Sequence, residues 1–406
     1  MRILVVSQYF WPENFRINDL VTDLNTRGHD VTVLTGKPNY PDGVIFSDYK
    51  KSPASFNEYN GVNVVRVPLI ARGKGGLRLI ANYLSFVFSA SIFGVFKLKG
   101  QNFDVIFVYE PSPVTVGLPA IVLKYIKKTP VVFWALDLWP ETLEAIGVVK
   151  SKSIIKVIGL MVSFIYNHCD LLLAQSRSFI VCMQRYCRDP DKIKYFPSWA
   201  EDTFSNTNIQ AAVEVPVSNP DMFSIMFAGN IGDAQDFPSI LNAVEILKES
   251  KNIRWLIVGD GRVAEWVKSE CLRRGLEDKV LLLGSYSLDK MPSFYACADA
   301  LLVSLKNKEI FTMTIPGKVQ SYLASAKPII GMLNGVGADV IRESGAGYVS
   351  DAGDSQCLAD NIMKMSMLSH HQRQKLGESG QKYYKKEFDK TVLIDRLETL
   401  MSNVIK

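Results

Sequence analysis

The chain has 406 residues, of which 48% are hydrophobic and 21% are charged. This length exceeds one ordinary hydrophobic core, and this composition is that of a folded soluble protein, so we expect two domains. Six cysteines show no C-x-x-C pair and no metal-ligand spacing, which argues against a disulfide scaffold and against a zinc protein. The net charge of +5 is uneven, because residues 1–198 hold 23 Lys/Arg against 15 Asp/Glu. No nucleic-acid partner is predicted.

The predicted elements alternate between strands and helices in two successive blocks. The first block has the apolar strands RILVVS, VTVLTG, FDVIFVYE and TPVVFWALD. After a polar stretch near residues 200–221, a second block has FSIMFAGN, RWLIVGDG, KVLLLG, ADALLVSL and KPIIGML. Continuous apolar strands with helices between them predict parallel sheets that are covered on both faces. The fold class is therefore α/β, with two doubly wound, Rossmann-like domains that face each other across a cleft.

A basic and apolar segment interrupts the first block. No acid occurs between Glu58 and Asp104, and the stretch 79–96 is rich in apolar and aromatic residues. The cations of this segment are Arg66, Arg72, Lys74, Arg78, Lys97 and Lys99. A helix lying in the interface of an anionic membrane explains both the charge and the apolar run. A buried core helix explains the apolar run alone, and both interpretations stay open.

Strand ends in the first block carry candidate catalytic acids. In DLWPE, Asp137 ends an apolar strand at the expected cleft, where a carboxylate needs a polar partner. Glu141 follows Pro140 and either caps a helix or takes part in catalysis. In the loop after the first strand, Glu13 and Arg16 are candidates for binding an acceptor or a phosphate, although a salt bridge at the entry of a helix is an equal alternative for Arg16.

Three turns in the second block combine glycines with polar or cationic residues. Gly229, Asn230 and Gly232 follow the first strand of this block, Gly261 and Arg262 follow the next, and Gly317 and Lys318 begin a helix. Glycines let a backbone approach a phosphate, and a helix N-terminus stabilises negative charge. Together these turns predict a diphosphate site. The Asp-Pro-Asp at 189–191 is expected to form a turn, so we predict no catalytic metal and no cofactor.

The ordered motifs resemble one large family. SQYFWPENFRIND, DLWPE, GDGR, LGSY, ADALLVSL and IPGKVQSYLASAKPIIG are similar, in that order, to motifs of the retaining glycosyltransferases of family 4, which have the GT-B fold. Within that family, the chain resembles bacterial O-antigen and capsule enzymes of the fucosaminyltransferase type. The resemblance implies an acceptor-binding domain at 1–198, a linker at 199–220 and a nucleotide-sugar-binding domain at 221–387. It also implies a last helix, at about 388–406, that packs back on the first domain.

The family pattern assigns further donor-site residues and also shows departures. Tyr286 is at the position where relatives hold the base, and Ser321 is near the position of a second glutamate. Relatives often carry an arginine and a lysine where this chain has Asn230 and Gln235. The charge of the phosphates would therefore be balanced by Arg262 and Lys318.

The predicted function is transfer of a sugar by a metal-independent, retaining hexosyltransferase. The donor would be a UDP-sugar, with an N-acetylated deoxyhexose such as N-acetyl-L-fucosamine. The acceptor would be a polyprenyl-diphosphate-linked oligosaccharide of bacterial O-antigen or capsule synthesis. The expected location is cytoplasmic, peripheral on the inner face of the plasma membrane and in contact with its anionic surface. Two alternatives stay open, namely a nucleotide-sugar epimerase of GT-B shape and a non-catalytic two-domain sugar-binding protein.

Overall fold

The computed structural model describes residues 1–73, 75–145, 147–205, 210–216 and 221–405. The chain forms two compact units, with Met1–Phe196 and Ile394–Lys406 in unit 1 and Pro197–Leu393 in unit 2. The described part of the predicted linker 199–220 belongs to unit 2. Its apolar side chains Ala200, Phe204, Ala212 and Val215 are buried in the hydrophobic core of that unit. The prediction of a separate linker missed this, because these apolar residues are widely spaced within a polar stretch.

Unit 1 is built on an eight-stranded sheet of order β3-β4-β2-β1-β5-β6-β7-β8. The strands are β1 (Arg2–Val6), β2 (Asp30–Gly36), β3 (Glu58–Tyr59), β4 (Val62–Val67), β5 (Val105–Glu110), β6 (Val131–Ala135), β7 (Leu171–Ala174) and β8 (Ile193–Tyr195). All neighbours pair in parallel except the short β3, which runs antiparallel to β4. Strands β5, β6 and β7 are buried along their whole lengths, as a parallel sheet covered on both faces requires.

The helices of unit 1 lie on both faces of this sheet. They are α1 (Arg16–Thr26), α2 (Ser47–Lys51), α3 (Gly76–Ser89), α4 (Val95–Lys97), α5 (Gly117–Lys127), α6 (Glu141–Ala145), α7 (Lys152–His168) and α8 (Arg177–Gln184). A π-helical turn at Ala90–Gly94 joins α3 to α4, so that Gly76–Lys97 is one continuous helix. Because parallel crossovers are right-handed, the connections that move from β4 towards β7 place the Gly76–Lys97 helix, α5 and α7 on one face, and α1 on the other.

The Gly76–Lys97 helix resolves part of the ambiguity in its sequence. Its inner side chains, including Asn82, Phe86 and Ala90, are buried, while much of its outer side is exposed. The amide of Asn82 accepts from Gln8 Nε2 at 2.7 Å and donates to the Ile70 carbonyl at 2.6 Å. Asn82, the polar residue that interrupts the apolar run, therefore faces the rest of unit 1 and forms internal hydrogen bonds there.

Arg66, which the sequence places among the membrane-facing cations, has a different role. Its guanidinium is buried and donates to the carbonyls of Phe56, Gly36 and Trp11. The amine of Lys97 donates to the Arg66 carbonyl at 2.8 Å. Arg66 therefore fastens loops of unit 1 together and is not available to a membrane. Lys74, another of these cations, lies outside the described residues.

Unit 2 has a six-stranded, wholly parallel sheet of order β11-β10-β9-β12-β13-β14. The strands are β9 (Phe223–Ala228), β10 (Ile253–Val258), β11 (Val280–Gly284), β12 (Ala300–Ser304), β13 (Ile329–Met332) and β14 (Gly347–Ser350). The helices are α9 (Phe237–Ile246), α10 (Ala264–Arg274), α11 (Met291–Ala296), α12 (Glu309–Met313), α13 (Gly317–Ala324), α14 (Val336–Ser344), α15 (Ser355–Ser366) and α16 (His370–Glu387), and α17 (Lys390–Val404) begins in this unit. The strand order reverses direction between β9 and β12, which is where open parallel sheets bind ligands.

Helix α17 carries the chain from unit 2 back into unit 1 at Ile394. Its apolar residues Ile394, Leu397 and Met401 are buried at helical spacing. On its polar side, Glu398 accepts from Arg27 at 3.0 Å and pairs with His29 at 2.7 Å. Most of the last helix thus belongs to unit 1.

Candidate functional site

In unit 2, two of the predicted glycine turns form one interlocked structure at the ends of β9 and β10. The Gly229 amide donates to the Val258 carbonyl at 2.8 Å, and the Ile231 amide donates to the Asp260 carbonyl at 2.8 Å. Gly229 has φ +127°, and Gly259 has φ +144°. A Cβ at Gly259 would lie 1.9 Å from the Gly229 carbonyl oxygen. At Gly259, the close contact of the two turns therefore requires glycine.

The third turn brings Lys318 to the same place. Lys318 is the second residue of α13, and its side chain passes so close to Gly229 that a Cβ there would lie 2.7 Å from Lys318 Cε. The amine lies 3.6 Å from the centroid of the Phe227 ring and has no hydrogen-bond partner among the described residues. Burial lowers the pKa of Lys318 to about 7. An unpaired, buried amine beside two glycine turns is a candidate site for an anion.

The other predicted donor-site residues already have partners. Arg262 forms an exposed ion pair with Asp233, so binding a phosphate would require this pair to open, at a cost of about 1 kcal/mol or less. The centroids of the Tyr286 and Phe294 rings lie 4.4 Å apart, so the two rings pack together. The Ser321 hydroxyl is buried and donates to the Lys318 carbonyl at 3.1 Å. Binding roles for Arg262, Tyr286 and Ser321 stay predictions.

A cavity of about 250 Å³ adjoins the first glycine turn. Its lining residues are Gly232, Asp233, Phe237, Pro238, Val263, Trp266 and Lys306. The cavity combines two aromatic rings and apolar side chains with one aspartate and one lysine. In the turn beside it, Gln235 Oε1 accepts from the Gly232 amide at 3.1 Å. Gln235 lies where relatives often have a lysine. In this chain, its side chain stabilises the turn by a hydrogen bond to the backbone.

In unit 1, the motif DLWPET folds around the carboxylate of Asp137. Asp137 Oδ1 accepts from the Leu138 amide at 2.9 Å and from the Thr142 hydroxyl at 2.5 Å, and Oδ2 accepts from Trp139 Nε1 at 3.1 Å. Helix α6 begins at Glu141, directly after Pro140. The tryptophan and the threonine of the motif therefore hold Asp137 in one orientation at the end of β6.

Glu141 has both a structural contact and a free oxygen. Its Oε1 accepts from the Tyr186 hydroxyl at 3.0 Å, while its Oε2 is buried and has no partner among the described residues. The hydroxyl of Tyr166 is likewise buried without a described partner. Catalysis and helix capping both stay open for Glu141.

Glu110 at the end of β5 is a candidate that the sequence reasoning missed. Its side chain is fully buried, Oε2 accepts from the Asp137 amide at 3.3 Å, and Oε1 has no described partner. Burial, with the neighbouring Asp137 charge, raises the pKa of Glu110 well above its ordinary value. Burial therefore favours the neutral form of the Glu110 carboxyl group beside Asp137. The available signal was an acid that ends an apolar strand, the same signal that identified Asp137.

Two more groups missed by the sequence reasoning lie near these acids. The Tyr83 hydroxyl is hydrogen-bonded to Ser112, and the Tyr83 ring lies 6.2 Å from Trp139. Ser112 has φ +118°, a strained conformation for a residue other than glycine. Strained backbone of this kind concentrates at functional sites, which supports a site at this edge of unit 1.

Glu13 and Arg16 both make contacts within unit 1. Glu13 is buried, and its oxygens accept from the amides of Phe10 at 3.1 Å, Asn39 at 2.7 Å and Tyr40 at 2.7 Å. Burial raises the pKa of Glu13 to about 7, against the opposing effect of these hydrogen bonds. Arg16 begins α1 and lies 3.7 Å from Asp19, which is the salt bridge considered as the alternative. The geometry favours loop-shaping roles for both, and ligand binding stays untested.

No group of three or more His, Cys, Asp or Glu side chains suited to a metal ion occurs in the described ranges. The acids at 189–191 form a turn in which Asp189 Oδ1 accepts from the Asp191 amide at 3.1 Å. This agrees with the turn predicted for them.

Comparisons with known proteins match both units. Residues 14–199 match the family model described as "Glycosyl transferase 4-like domain", and residues 223–367 match "Glycosyl transferases group 1". The chain belongs to the GT-B glycosyltransferases. The glycosyltransferase WbjE of Pseudomonas aeruginosa is 27% identical over 313 residues, covering 72% of this chain and 74% of that protein. WcaI of Escherichia coli, named as a colanic acid biosynthesis glycosyl transferase, is 23% identical over 344 residues, covering 80% of this chain and 81% of that protein.

The fold is also that of solved glycosyltransferase structures. HepE of Anabaena, solved in complex with UDP and glucose, has a TM-score of 0.65 at 15% identity and covers 99% of both chains. The predicted GT-B fold with two parallel-sheet α/β domains is therefore confirmed. At this identity, the likeness concerns the fold alone.

Proposed function

We propose that the protein is a retaining, metal-independent glycosyltransferase of family 4 that acts in bacterial surface polysaccharide synthesis. The donor is a UDP-sugar, with an N-acetylated deoxyhexose such as N-acetyl-L-fucosamine. The acceptor is a polyprenyl-diphosphate-linked oligosaccharide of O-antigen or capsule synthesis. Support comes from two relatives, one named a glycosyltransferase and the other named for colanic acid biosynthesis, and from the UDP complex of HepE.

One observation carries the donor side of this proposal, namely the unpaired amine of Lys318. It lies at the N-terminus of α13, beside Gly229 and at the reversal point of the sheet. A diphosphate there gains a cation, the free N–H groups of the helix and the helix dipole together. These groups stabilise the negative charge that develops on the leaving diphosphate, which is where catalysis of sugar transfer gains most. No metal ion is needed to supply this charge.

The acceptor side rests on Asp137 in unit 1. Three donors fix its carboxylate, so it meets a substrate hydroxyl with little reorganisation. In the proposal, Asp137 accepts hydrogen bonds from the sugar or takes the proton that leaves the acceptor hydroxyl. Glu110 holds the Asp137 amide and acts as a positioning residue.

The proposed location is the inner face of the plasma membrane, where a polyprenyl-linked acceptor is anchored. The helix Gly76–Lys97 is long and apolar enough to cross a membrane by its length and composition. Since one side of this helix packs on unit 1, we propose that it lies on the membrane surface and does not cross it.

Product analysis tests the proposal against its alternatives. The purified protein is incubated with UDP-sugars, with and without a lipid-linked acceptor. The products are separated by liquid chromatography, which resolves epimers of equal mass, and are identified by mass spectrometry, while sugar and nucleotide binding are measured by calorimetry. We expect a glycosylated lipid and free UDP when both substrates are present. A changed sugar nucleotide formed from the donor alone would indicate the epimerase, and sugar binding with no nucleotide binding would indicate the non-catalytic protein. Either result would overturn the proposal.

A further inference from the structure

Three neighbouring helices of unit 1 present apolar side chains to solvent. We call the outward side of the Gly76–Lys97 helix, α5 and α7 the three-helix face. Its exposed apolar residues are Leu77, Ile80, Leu84, Phe88, Ile92, Phe93, Phe96, Val122, Tyr125, Ile126, Ile154, Val157, Leu160 and Phe164. On each helix they recur at intervals of about three or four residues, so they form a stripe on one side.

The three stripes belong to one continuous surface. The helices lie on the same face of the sheet, and α5 contacts both the Gly76–Lys97 helix and α7. With helix axes roughly 10 Å apart and a length of roughly 30 Å, the face covers on the order of 600 Å². A patch of that size is at the upper end for a soluble monomer and marks an interaction site.

The charge around the face identifies its partner. None of the three helices contains an Asp or a Glu. Exposed cations on or beside these helices are Arg78, Lys99, Lys128, Lys152 and Lys156. Helix α1, on the opposite face of the sheet, does carry acids, namely Asp19 and Asp23. The apolar face is therefore also the cationic face, which fits a partner that is apolar and anionic at once.

We propose that the three-helix face is the surface on which the protein docks to an anionic lipid bilayer. The aromatic side chains enter the interface, and Lys152, Lys156 and Lys128 contact the headgroups at its rim. This inference rests on the membrane location proposed above and extends it to α7, more than 50 residues beyond the basic segment 66–99. It does not depend on which donor, acceptor or reaction the protein uses.

A matched pair of variants tests the role of α7. Lys156→Gln with Leu160→Ser removes one cation and one apolar residue from the face. Lys268→Gln with Leu272→Ser makes the same changes on α10 of unit 2, and Leu160 and Leu272 are similarly exposed, at 64% and 69%. Co-sedimentation of each protein is measured with two kinds of vesicle. One is phosphatidylcholine alone, and the other is phosphatidylcholine with about 30% phosphatidylglycerol, which makes it about one-third anionic.

We expect the wild type and the α10 variant to sediment with the anionic vesicles and to be released by salt. The partition coefficient of the α7 variant should fall about fivefold for the lost cation and further for the lost leucine, without a change in Tm. Equal binding of the α7 variant and the wild type would overturn the inference, as would a wild type that stays in the supernatant at low salt. A dimer in solution that the α7 variant dissociates would show that a second copy covers the face, which also overturns it. The assay contains no sugar substrate, so failed transfer and failed docking are separate results.

Discussion

Lys318→Met should make the protein more stable and at the same time weaken its binding of nucleoside diphosphates. The buried amine has a pKa of about 7 in the folded protein, against an ordinary value of 10.5. The unfolded chain therefore binds more protons than the folded chain between these pH values, and this lysine opposes folding most strongly below pH 7. Methionine has a similar shape without the charge. We expect the free energy of unfolding to rise by on the order of 3 kcal/mol at pH 6 and by much less at pH 10.

Binding should change in the opposite direction. Methionine cannot pair with a phosphate, so UDP affinity should fall by at least about tenfold, the usual loss for a charge-assisted hydrogen bond. Uridine has no phosphate, and its affinity should not change. Urea denaturation and calorimetric titration measure the two effects, with Lys268→Met on the exposed surface of α10 as the control. Equal losses for UDP and uridine would show that Lys318 does not contact phosphate.

Asp137→Asn should lower the rate of sugar transfer by about 10²- to 10⁴-fold, the range for loss of a positioned acid or base. Asparagine keeps the shape and one acceptor oxygen, but it cannot take the proton of the acceptor hydroxyl. Donor binding in unit 2 should not change. Steady-state kinetics with saturating donor give the comparison, and Asp189→Asn, in a surface turn, is the control with no expected effect. A rate within about threefold of the wild type would remove Asp137 from catalysis.

Glu110→Gln tests the positioning role through the pH dependence of the same reaction. The raised pKa favours the neutral form of Glu110, and glutamine reproduces that form. We expect the rate of the variant to be near that of the wild type wherever Glu110 is neutral. As the pH rises through the pKa of Glu110, its ionisation would place a negative charge beside Asp137 and lower the wild-type rate. The glutamine variant should lack this alkaline loss. The same alkaline limb in both proteins would contradict the assignment.

The sequence predicted the fold and the strand ends well because both depend on local pattern. Apolar strands alternating with helices determine a doubly wound sheet, and a glycine turn after a strand is visible without any tertiary information. Asp137, Gly229 and Lys318 are identified as candidates in this way, and their functional roles stay predictions. The sequence could not show that two glycine turns bond to each other, since that depends on the pairing of β9 with β10.

Burial explains the main errors and omissions. In the sequence, Arg66 cannot be told from a surface cation. In the structure, its guanidinium donates hydrogen bonds to three backbone carbonyls from other parts of unit 1. Glu110 ends an apolar strand, and it is a candidate for the site because its carboxyl group accepts a hydrogen bond from the Asp137 amide. The exposed stripe of α7 was also unremarkable in sequence, since an apolar helix of 17 residues is usually a core helix. In each case the deciding contact joins residues that are far apart in the chain.

The central claim, that the amine of Lys318 receives the diphosphate of the donor, is tested most directly by proton uptake. At pH 8 the free amine is mostly neutral, and UDP, whose last phosphate pKa is about 6, is fully ionised. Titration of the protein with UDP in two buffers of different ionisation enthalpy gives the number of protons bound with the ligand. We predict an uptake of nearly one proton per UDP, with affinity falling as pH rises above 7, and no uptake in Lys318→Met. Tight UDP binding to the wild type with no proton uptake would contradict the claim.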